Sequence, residues 1–259
     1  MSLKALIFDV DGTLADTEET HRQAFNYTFL RFELTWDWSR PMYRDLLRIS
    51  GGKERIEHFV GTLGVSRVEK ERLRQIVPAI HRTKTELYTE LIADGRCPLR
   101  PGVARLLAEA RQAGLRLAVA STTTAANVNA LLTSHLGRSG PGHFYTIACG
   151  DLVQRKKPAP DIYAHALSTL GLPCDECVAV EDSRNGLRAA KAAGLFTVVT
   201  PSQWTAGENF SDADLELTHL GDPQHELSPA EAARAGGPWL GLAQLRALLP
   251  MQRLARTED

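Results

Sequence analysis

The sequence has no excess of one charge, no long apolar run and few sulfur-containing residues. With 30 basic and 31 acidic residues, its net charge is −1, so it lacks the basic field with which proteins bind nucleic acids or anionic membranes. No stretch approaches the roughly 18 apolar residues of a membrane span, and the first residues do not have the pattern of a secretory leader. These absences predict a cytoplasmic protein with no nucleic-acid or membrane partner, and we expect a monomer.

Cysteine is also scarce, with four residues in the chain. Cys174 and Cys177 form a C-x-x-C pair, which suits a redox or zinc site but also occurs as two incidental thiols. No second C-x-x-C and no suitably spaced histidine pair completes a zinc site. We therefore interpret the pair as incidental and expect a reduced protein.

What the sequence does have is an alternation of short strands with helices. Strand-like apolar runs lie at Ala5–Phe8, Leu115–Ala120, Tyr145–Ala148, Val178–Val180 and Phe196–Val199. Helical periodicity marks Val103–Ala113, Ala125–Leu136, Asp161–Leu170 and Ser183–Ala193. Alternation of this kind predicts an α/β fold, a doubly wound, Rossmann-like parallel sheet covered on both faces.

One segment breaks the alternation. Residues 17–96 contain no convincing strand but have helical patterns at Glu18–Arg31, Lys53–Leu63 and Val68–Ile92. Such an insertion would lie beside the carboxyl ends of the strands, where open α/β sheets bind ligands. We interpret it as an α-helical cap rather than an inert decoration. The predicted division is a core of residues 1–16 and 97–225, a cap of 17–96, and a tail of 226–259 with one short helix at Leu240–Leu249.

Acidic pairs follow two of the predicted strands. Asp9 and Asp11 flank Val10 where the first strand ends, just before Gly12, and Glu181 and Asp182 follow a later strand. A lone D-x-D can be two acids capping a turn. Two parallel strands that both end in acids can instead supply one site for Mg²⁺, which prefers hard carboxylate oxygens.

Two further strand ends carry groups suited to phosphate. Ser121 and Thr122 lie where a strand meets a helix, and a hydroxyl beside free backbone N–H groups binds phosphate oxygens. Lys157 precedes Pro158 and can bring an ammonium to the acids, although a lysine considered alone is usually a surface residue.

These four elements, in this order, resemble the motifs of the haloacid dehalogenase superfamily of phosphohydrolases. The resemblance implies that Asp9 is the nucleophile and forms an aspartyl-phosphate, and that Asp11 is the general acid and base. It implies that Ser121 or Thr122, with Lys157, holds the phosphoryl oxygens. The Mg²⁺ ligands that it implies are Asp9, Asp11 through its carbonyl, Glu181 and Asp182.

The cap carries a second candidate anion site. Glycines at a loop-to-helix boundary, followed by two cations, suit an anion, although the cations also fit a solvated helix face. The residues are Gly51, Gly52, Lys53 and Arg55. Two anion sites would suit a substrate with a phosphate at each end.

The stretch "AFNYTFLRFELTWDWSRPMYRDLLRISGGKERI" resembles the CbbY branch of the superfamily. This resemblance implies a substrate of xylulose 1,5-bisphosphate, a Rubisco inhibitor, and a link to the Calvin cycle. The substrate contacts that it implies are Glu18, His21, Tyr43, Lys53 and Arg55, and Lys84 is a weaker candidate.

Two other activities stay open at this stage. Thr17 and His21 share one helix face and are compatible with a β-phosphoglucomutase-like phosphomutase. A phosphoglycolate phosphatase is also compatible, because caps of this superfamily change substrate readily. For any of these we expect the cap to close over the substrate on hinges near Thr17 and Arg96, with Asp16 ordering the first loop.

Overall fold

The computed structural model describes residues 2–93 and 97–256 and contains a sheet of six parallel strands. The strands are β1 (Ala5–Phe8), β2 (Arg116–Ser121), β3 (Thr146–Cys149), β4 (Cys177–Glu181), β5 (Phe196–Val199) and β6 (Leu215–Glu216). Their spatial order is β3-β2-β1-β4-β5-β6, and every neighbouring pair is parallel. The predicted fold class is confirmed. Strand β6 was not predicted, because two residues are too few to show a period.

Ten α-helices accompany the sheet among the described residues. They are α1 (Glu18–Arg31), α2 (Arg40–Leu46), α3 (Gly52–Thr62), α4 (Arg67–Ala93), α5 (Val103–Gln112), α6 (Ala125–Leu136), α7 (Asp161–Leu170), α8 (Arg184–Ala192), α9 (Pro229–Ala235) and α10 (Leu242–Arg256). Leu6 and Phe8 of β1 lie in one buried cluster with side chains of α5 and α6, whereas Ala5 and Ile7 lie in another with side chains of α7 and α8. Both faces of the sheet are therefore covered, as the apolar strands predict.

The insertion folds as helices α1 to α4 around its own aromatic core. Phe25, Phe29, Trp38 and Tyr43 are fully buried there. Helix α2 was missed, since seven residues are too few for a clear helical period. The predicted hinge near Arg96 lies outside the described residues, and the proposed domain boundaries stay a prediction.

The two connections between insertion and sheet run side by side. Ala15 forms an antiparallel bridge with Leu99, and Arg100 donates its backbone N–H to Leu14. The buried Arg100 guanidinium also donates to the carbonyls of Gly12 and Thr200. The helices are thereby anchored close to the loop that carries Asp9 and Asp11.

The tail differs from the single short helix that we expected. It contains two helices, α9 and α10, and α9 begins with a capping box in which Ser228 and Glu231 bind each other's backbone N–H groups. Ala235 of α9 and Leu245 of α10 are buried in the core cluster on the α5 side of the sheet. The tail therefore packs on the core through both helices.

Candidate active site

The acidic pairs of the sequence meet at the carboxyl ends of β1 and β4. These strands are neighbours, and the backbone N–H of Asp9 donates to the Val180 carbonyl at 3.0 Å. Carboxylate oxygens of Asp9, Glu181 and Asp182 all lie within 4.8 Å of one another, and all three side chains are buried. The sheet topology thus brings together groups that are about 170 residues apart in the chain.

Lys157 is the cation at the centre of this cluster. Its Nζ lies 2.6 Å from Asp9 Oδ1 and 2.5 Å from Glu181 Oε1. Tyr163, on the first turn of α7, donates its hydroxyl to the same Glu181 oxygen at 2.5 Å. We did not anticipate Tyr163; its only signal in the sequence is a polar aromatic residue on the buried face of a helix.

The cluster contains more negative than positive charge. Burial raises the pKa of Asp9 to about 7, although the Lys157 ammonium lowers it. Burial, with Asp9 and Glu181 alongside, also raises the pKa of Asp182 well above its usual range. One lysine therefore faces three buried carboxylates, and this all-oxygen donor set fits a hard divalent cation such as Mg²⁺.

Two glycines make room for the carboxylates. Gly12 has φ of +79°, and a Cβ at this position would collide with Asp182 Oδ2. A Cβ at Gly186 would likewise collide with the carboxylate of Glu181. Both motifs therefore need glycine for close approach of backbone and carboxylate, and Gly12 needs it for its backbone conformation as well.

Asp11 points away from this cluster toward the cap. Its Oδ1 accepts hydrogen bonds from Thr17 Oγ1 at 2.5 Å and from His21 Nε2 at 2.8 Å. The Asp11 carboxylate can only accept, so the His21 ring carries a proton on Nε2, and its Nδ1 lies 2.5 Å from Lys84 Nζ. Burial opposes ionisation of Asp11, but His21, Thr17 and Lys84 outweigh it and lower its pKa. Tyr88 stacks on the His21 ring at 4.0 Å and holds its plane.

A cavity of about 650 Å³ opens above both groups and is walled by the core on one side and the cap on the other. It includes most of the side chains predicted from the sequence. Those that line it are Asp9, Asp11, Glu18, His21, Gly51, Gly52, Lys84, Arg55, Ser121, Thr122, Lys157 and Asp182. Glu181 lies behind the wall, fully buried under Lys157 and Tyr163.

Two predicted substrate contacts do not line the cavity. Tyr43 is fully buried; its hydroxyl donates to Glu18 Oε2 at 2.8 Å and accepts from Arg55 at 3.0 Å, so it supports two residues that do line the cavity. Lys53 forms an ion pair with Asp151 of the core at 2.5 Å. Its ammonium contacts Asp151 and does not line the cavity here, so its role as a substrate cation stays a prediction.

Other lining residues were not anticipated. Arg48, Arg184 and Arg188 add positive charge to the wall, and Asn127 and Thr205 add polar groups. They follow no motif spacing that we used, and they reach the cavity through the folding of separate loops. Asp16, whose role was open, lies 3.6 Å from Arg100 and so pairs with the anchor of the insertion.

A family model described as haloacid dehalogenase-like hydrolase matches residues 3–194. The chain belongs to this family. The expected enzyme class, a phosphatase with the four motifs of the superfamily, is confirmed at this level. No helix among the described residues is both long enough and apolar enough to cross a membrane.

Individual relatives show which branch of the family this chain resembles. Protein CbbY of Cupriavidus necator is 49% identical over 95% of this chain and 96% of its own length. The crystal structure of CbbY from Rhodobacter sphaeroides with phosphate has a TM-score of 0.78 at 48% identity, covering 84% of this chain and 94% of that one. A variant of the same protein, solved with xylulose 1,5-bisphosphate, has a TM-score of 0.79 at 47% identity and covers 86% and 98%. The predicted resemblance to the CbbY branch is confirmed.

Proposed function

We propose that this protein is a Mg²⁺-dependent phosphatase that hydrolyses a small sugar bisphosphate, with xylulose 1,5-bisphosphate as the leading substrate. The observation that carries the chemistry is the buried cluster of Asp9, Lys157, Glu181 and Asp182 at the base of a polar cavity. The substrate is supported by the 47% identity to CbbY solved with that compound. Its removal would relieve inhibition of Rubisco and link the protein to the Calvin cycle.

Asp9 is the nucleophile in this mechanism. One of its carboxylate oxygens attacks phosphorus, the bond from phosphorus to the sugar oxygen breaks, and an aspartyl-phosphate forms. Lys157 holds Asp9 at 2.6 Å and, with Ser121 and Thr122 on the cavity wall, offers positive charge and hydroxyls to the phosphoryl oxygens. Thr124 caps helix α6 and lines the same cavity, so the N-terminus of this helix would face the phosphoryl group.

Asp11 handles the protons. Its carboxylate is the favoured form in the substrate-free site, so it takes up a proton when the substrate binds and gives that proton to the departing sugar oxygen. It then recovers a proton from the water that attacks the aspartyl-phosphate, and the products are the sugar monophosphate and free phosphate. Its contacts with Thr17 and His21 fix where its carboxyl group lies. His21 is fixed in turn by Lys84.

The residues that would hold Mg²⁺ are Asp9, the carbonyl of Asp11, and Asp182, with Glu181 alongside. This is the predicted ligand set, and the shortage of positive charge among these buried carboxylates supports it. Bound there, the ion would neutralise charge on the phosphoryl group.

The second phosphate would lie toward the cap. Gly51 and Gly52 begin helix α3 at the cavity, and a helix N-terminus favours an anion. Arg48 and Arg55 of the cap and Arg188 of the core add guanidinium groups to the same wall. These arginines, rather than Lys53, make the cavity suitable for a substrate with two phosphates.

A phosphomutase is the second candidate, because Thr17 and His21, the pair that is compatible with it, both bind Asp11. The two activities differ in their product: a phosphatase releases phosphate without a bisphosphate activator. A phosphoglycolate phosphatase would show its preference in the same assay.

The test is phosphate release with Mg²⁺ from xylulose 1,5-bisphosphate, ribulose 1,5-bisphosphate, phosphoglycolate and β-glucose 1-phosphate. We expect kcat/KM for xylulose 1,5-bisphosphate to exceed the others by about a hundredfold, or roughly 2.7 kcal/mol. Asp9→Asn should abolish release and leave the unfolding midpoint close to wild type or higher. Similar slow rates on all four would refute the substrate, and turnover by Asp9→Asn would refute the nucleophile.

A further inference from the structure

The loop after β5 contributes a side chain to the aromatic cluster of the cap. Trp204 belongs to this loop, yet it lies in the aromatic cluster of the cap and is only 5% exposed. Its ring meets Tyr43 edge-on, with centroids 5.5 Å apart and planes at 87°. The Arg40 guanidinium lies 6.0 Å from the same ring. Next to it, Arg44 donates to the Gln203 carbonyl at 3.3 Å. The position of Trp204 therefore depends on where the cap lies.

The next residue reaches the carboxylate cluster. Thr205 lines the cavity, and its hydroxyl donates to Asp182 Oδ2 at 3.3 Å. A tight turn holds this threonine, since Ser202 N–H donates to Thr205 Oγ1 at 2.9 Å and Thr205 N–H donates to the Ser202 carbonyl at 3.2 Å. The Ser202 hydroxyl supports the same turn, because it lies 3.2 Å from Thr205 Oγ1 and accepts from the Trp204 N–H at 3.3 Å. A displacement of Trp204 would thus be passed to the hydroxyl that binds Asp182.

We propose that Trp204 is a positioning residue that couples cap closure to the metal site: the cap holds its indole ring, and the turn it belongs to holds Asp182 through Thr205. The inference rests on the proposed function, because it assigns Asp182 to the Mg²⁺ site. It goes beyond that function, because it states that Trp204, a side chain that does not line the cavity, determines the position of the Asp182 carboxylate.

The coupling continues on the cap side to residues that face the substrate. Tyr43, which packs on Trp204, binds Glu18 at 2.8 Å and Arg55 at 3.0 Å, and both of these line the cavity. A substrate that draws Glu18 and Arg55 inward therefore also draws Tyr43 onto Trp204. Asp182 then takes its final position when the cap is closed over the substrate, which confines the reaction to the closed state.

The first measurement is the affinity for Mg²⁺ alone, by titration calorimetry on the folded, substrate-free protein. Thr205→Val removes the hydroxyl but keeps the shape, and we expect a Kd about fivefold weaker. Trp204→Ala should weaken Mg²⁺ binding by a similar factor although its ring touches no carboxylate, and Trp204→Phe should restore most of it. Trp239→Ala is the matched control, because this indole packs on Arg105 and lines neither the cavity nor the carboxylate cluster, so its Mg²⁺ affinity should equal that of wild type.

Tyr43 tests the cap side of the coupling. Tyr43→Phe keeps the ring on Trp204, and we expect Mg²⁺ affinity within twofold of wild type. Tyr43→Leu removes the ring, and its effect on the Mg²⁺ Kd should not add to that of Trp204→Ala, as holds for residues acting through one contact. Urea unfolding of every variant verifies that the protein titrated is folded.

The outcomes separate the inference from the function. If wild type binds Mg²⁺ and releases phosphate but Trp204→Ala binds Mg²⁺ as wild type does, the coupling is wrong and the proposed function stands. Additive effects of Tyr43→Leu and Trp204→Ala would equally overturn it. If wild type neither binds Mg²⁺ nor hydrolyses any phosphate ester, the proposed function fails and the inference fails with it.

Discussion

Replacing Lys84 by methionine should stabilise the protein at neutral pH while slowing its reaction. The side chain is 3% exposed on helix α4, and its ammonium lies between the rings of Phe25 and Tyr88, at 4.7 and 5.1 Å from their centroids. Burial lowers the pKa of Lys84 from 10.5 to about 7, more than the nearby Asp11 raises it. Burial of this group beside His21 therefore lowers the free energy of unfolding of the native protein.

The magnitude follows from the pKa shift. In the unfolded chain the lysine keeps its ordinary pKa, so between pH 7 and 10.5 the unfolded state binds a proton that the native state does not. Native stability contributed by this group consequently rises with pH across that window. A shift of this size corresponds to roughly 5 kcal/mol at about 1.36 kcal/mol per unit, nearly all of it still a cost at pH 7.

Methionine avoids this cost but loses two kinds of contact. The hydrogen bond to His21 is worth about 1 kcal/mol, and the contacts with the two aromatic rings are worth on the order of 1–2 kcal/mol. An unbranched side chain of similar length fills the same space. We therefore expect Lys84→Met to gain about 2 kcal/mol of unfolding free energy at pH 7, with the gain falling as the pH approaches 10.

The assay is urea unfolding of wild type and Lys84→Met at pH 6.5, 8 and 9.5. Lys70→Met is the control and should change little at any pH, because this lysine of the same helix is half-buried and binds the Gly61 carbonyl. The kcat of Lys84→Met should fall at least tenfold, because His21 loses the donor that fixes its tautomer beside Asp11. A variant less stable than wild type at pH 6.5, or a difference independent of pH, would refute the reasoning.

Three shorter predictions concern the surroundings of the site. Lys53→Ala removes a partly exposed ion pair with Asp151, which is worth about 0.2–1 kcal/mol in such settings. The value of kcat/KM should therefore drop less than about fivefold, and equally for a sugar bisphosphate and for p-nitrophenyl phosphate; a loss confined to the bisphosphate would contradict this. Gly12→Ala places a Cβ against Asp182 and should weaken Mg²⁺ binding at least tenfold by calorimetry, whereas unchanged affinity would mean that Asp182 moves aside. Arg100→Met strips four carbonyls of their donor and should cost more than about 3 kcal/mol in urea unfolding; a loss under 1 kcal/mol would show that the anchor is dispensable.

The core half of the site could be predicted from the sequence because local pattern and topology determine it together. Asp9 and Glu181 each end an apolar run that can only be a buried strand, and parallel strands place their carboxyl ends at one edge. This prediction depends only on where the strands end and on their parallel direction. The parallel pairing of β1 with β4 therefore accounts for the grouping of Asp9 and Glu181, whereas Lys157 reaches them from a loop.

The cap half was predicted less well, since its contacts join separate loops. Trp204 lies more than 150 residues from Tyr43 in the chain, and nothing in "PSQWTAG" indicates that this tryptophan enters the cluster of another domain. Arg100 is similar: its carbonyl partners lie in several distant loops. Residues of this kind are defined by tertiary packing alone, and no periodicity or spacing signals them.

Lys53 is different, because the geometry of the predicted helix already indicates the direction of its side chain. We predicted that Lys53 and Arg55 face the same anion, and both lie in the first turn of α3. Residues two apart in an α-helix are separated by about 200° around its axis, so they point to nearly opposite sides. Once Arg55 faces the cavity, Lys53 must face away from it, and it reaches Asp151 of the core. Helix geometry applied to the predicted helix would thus have separated the cation at the substrate from the one at the contact between cap and core.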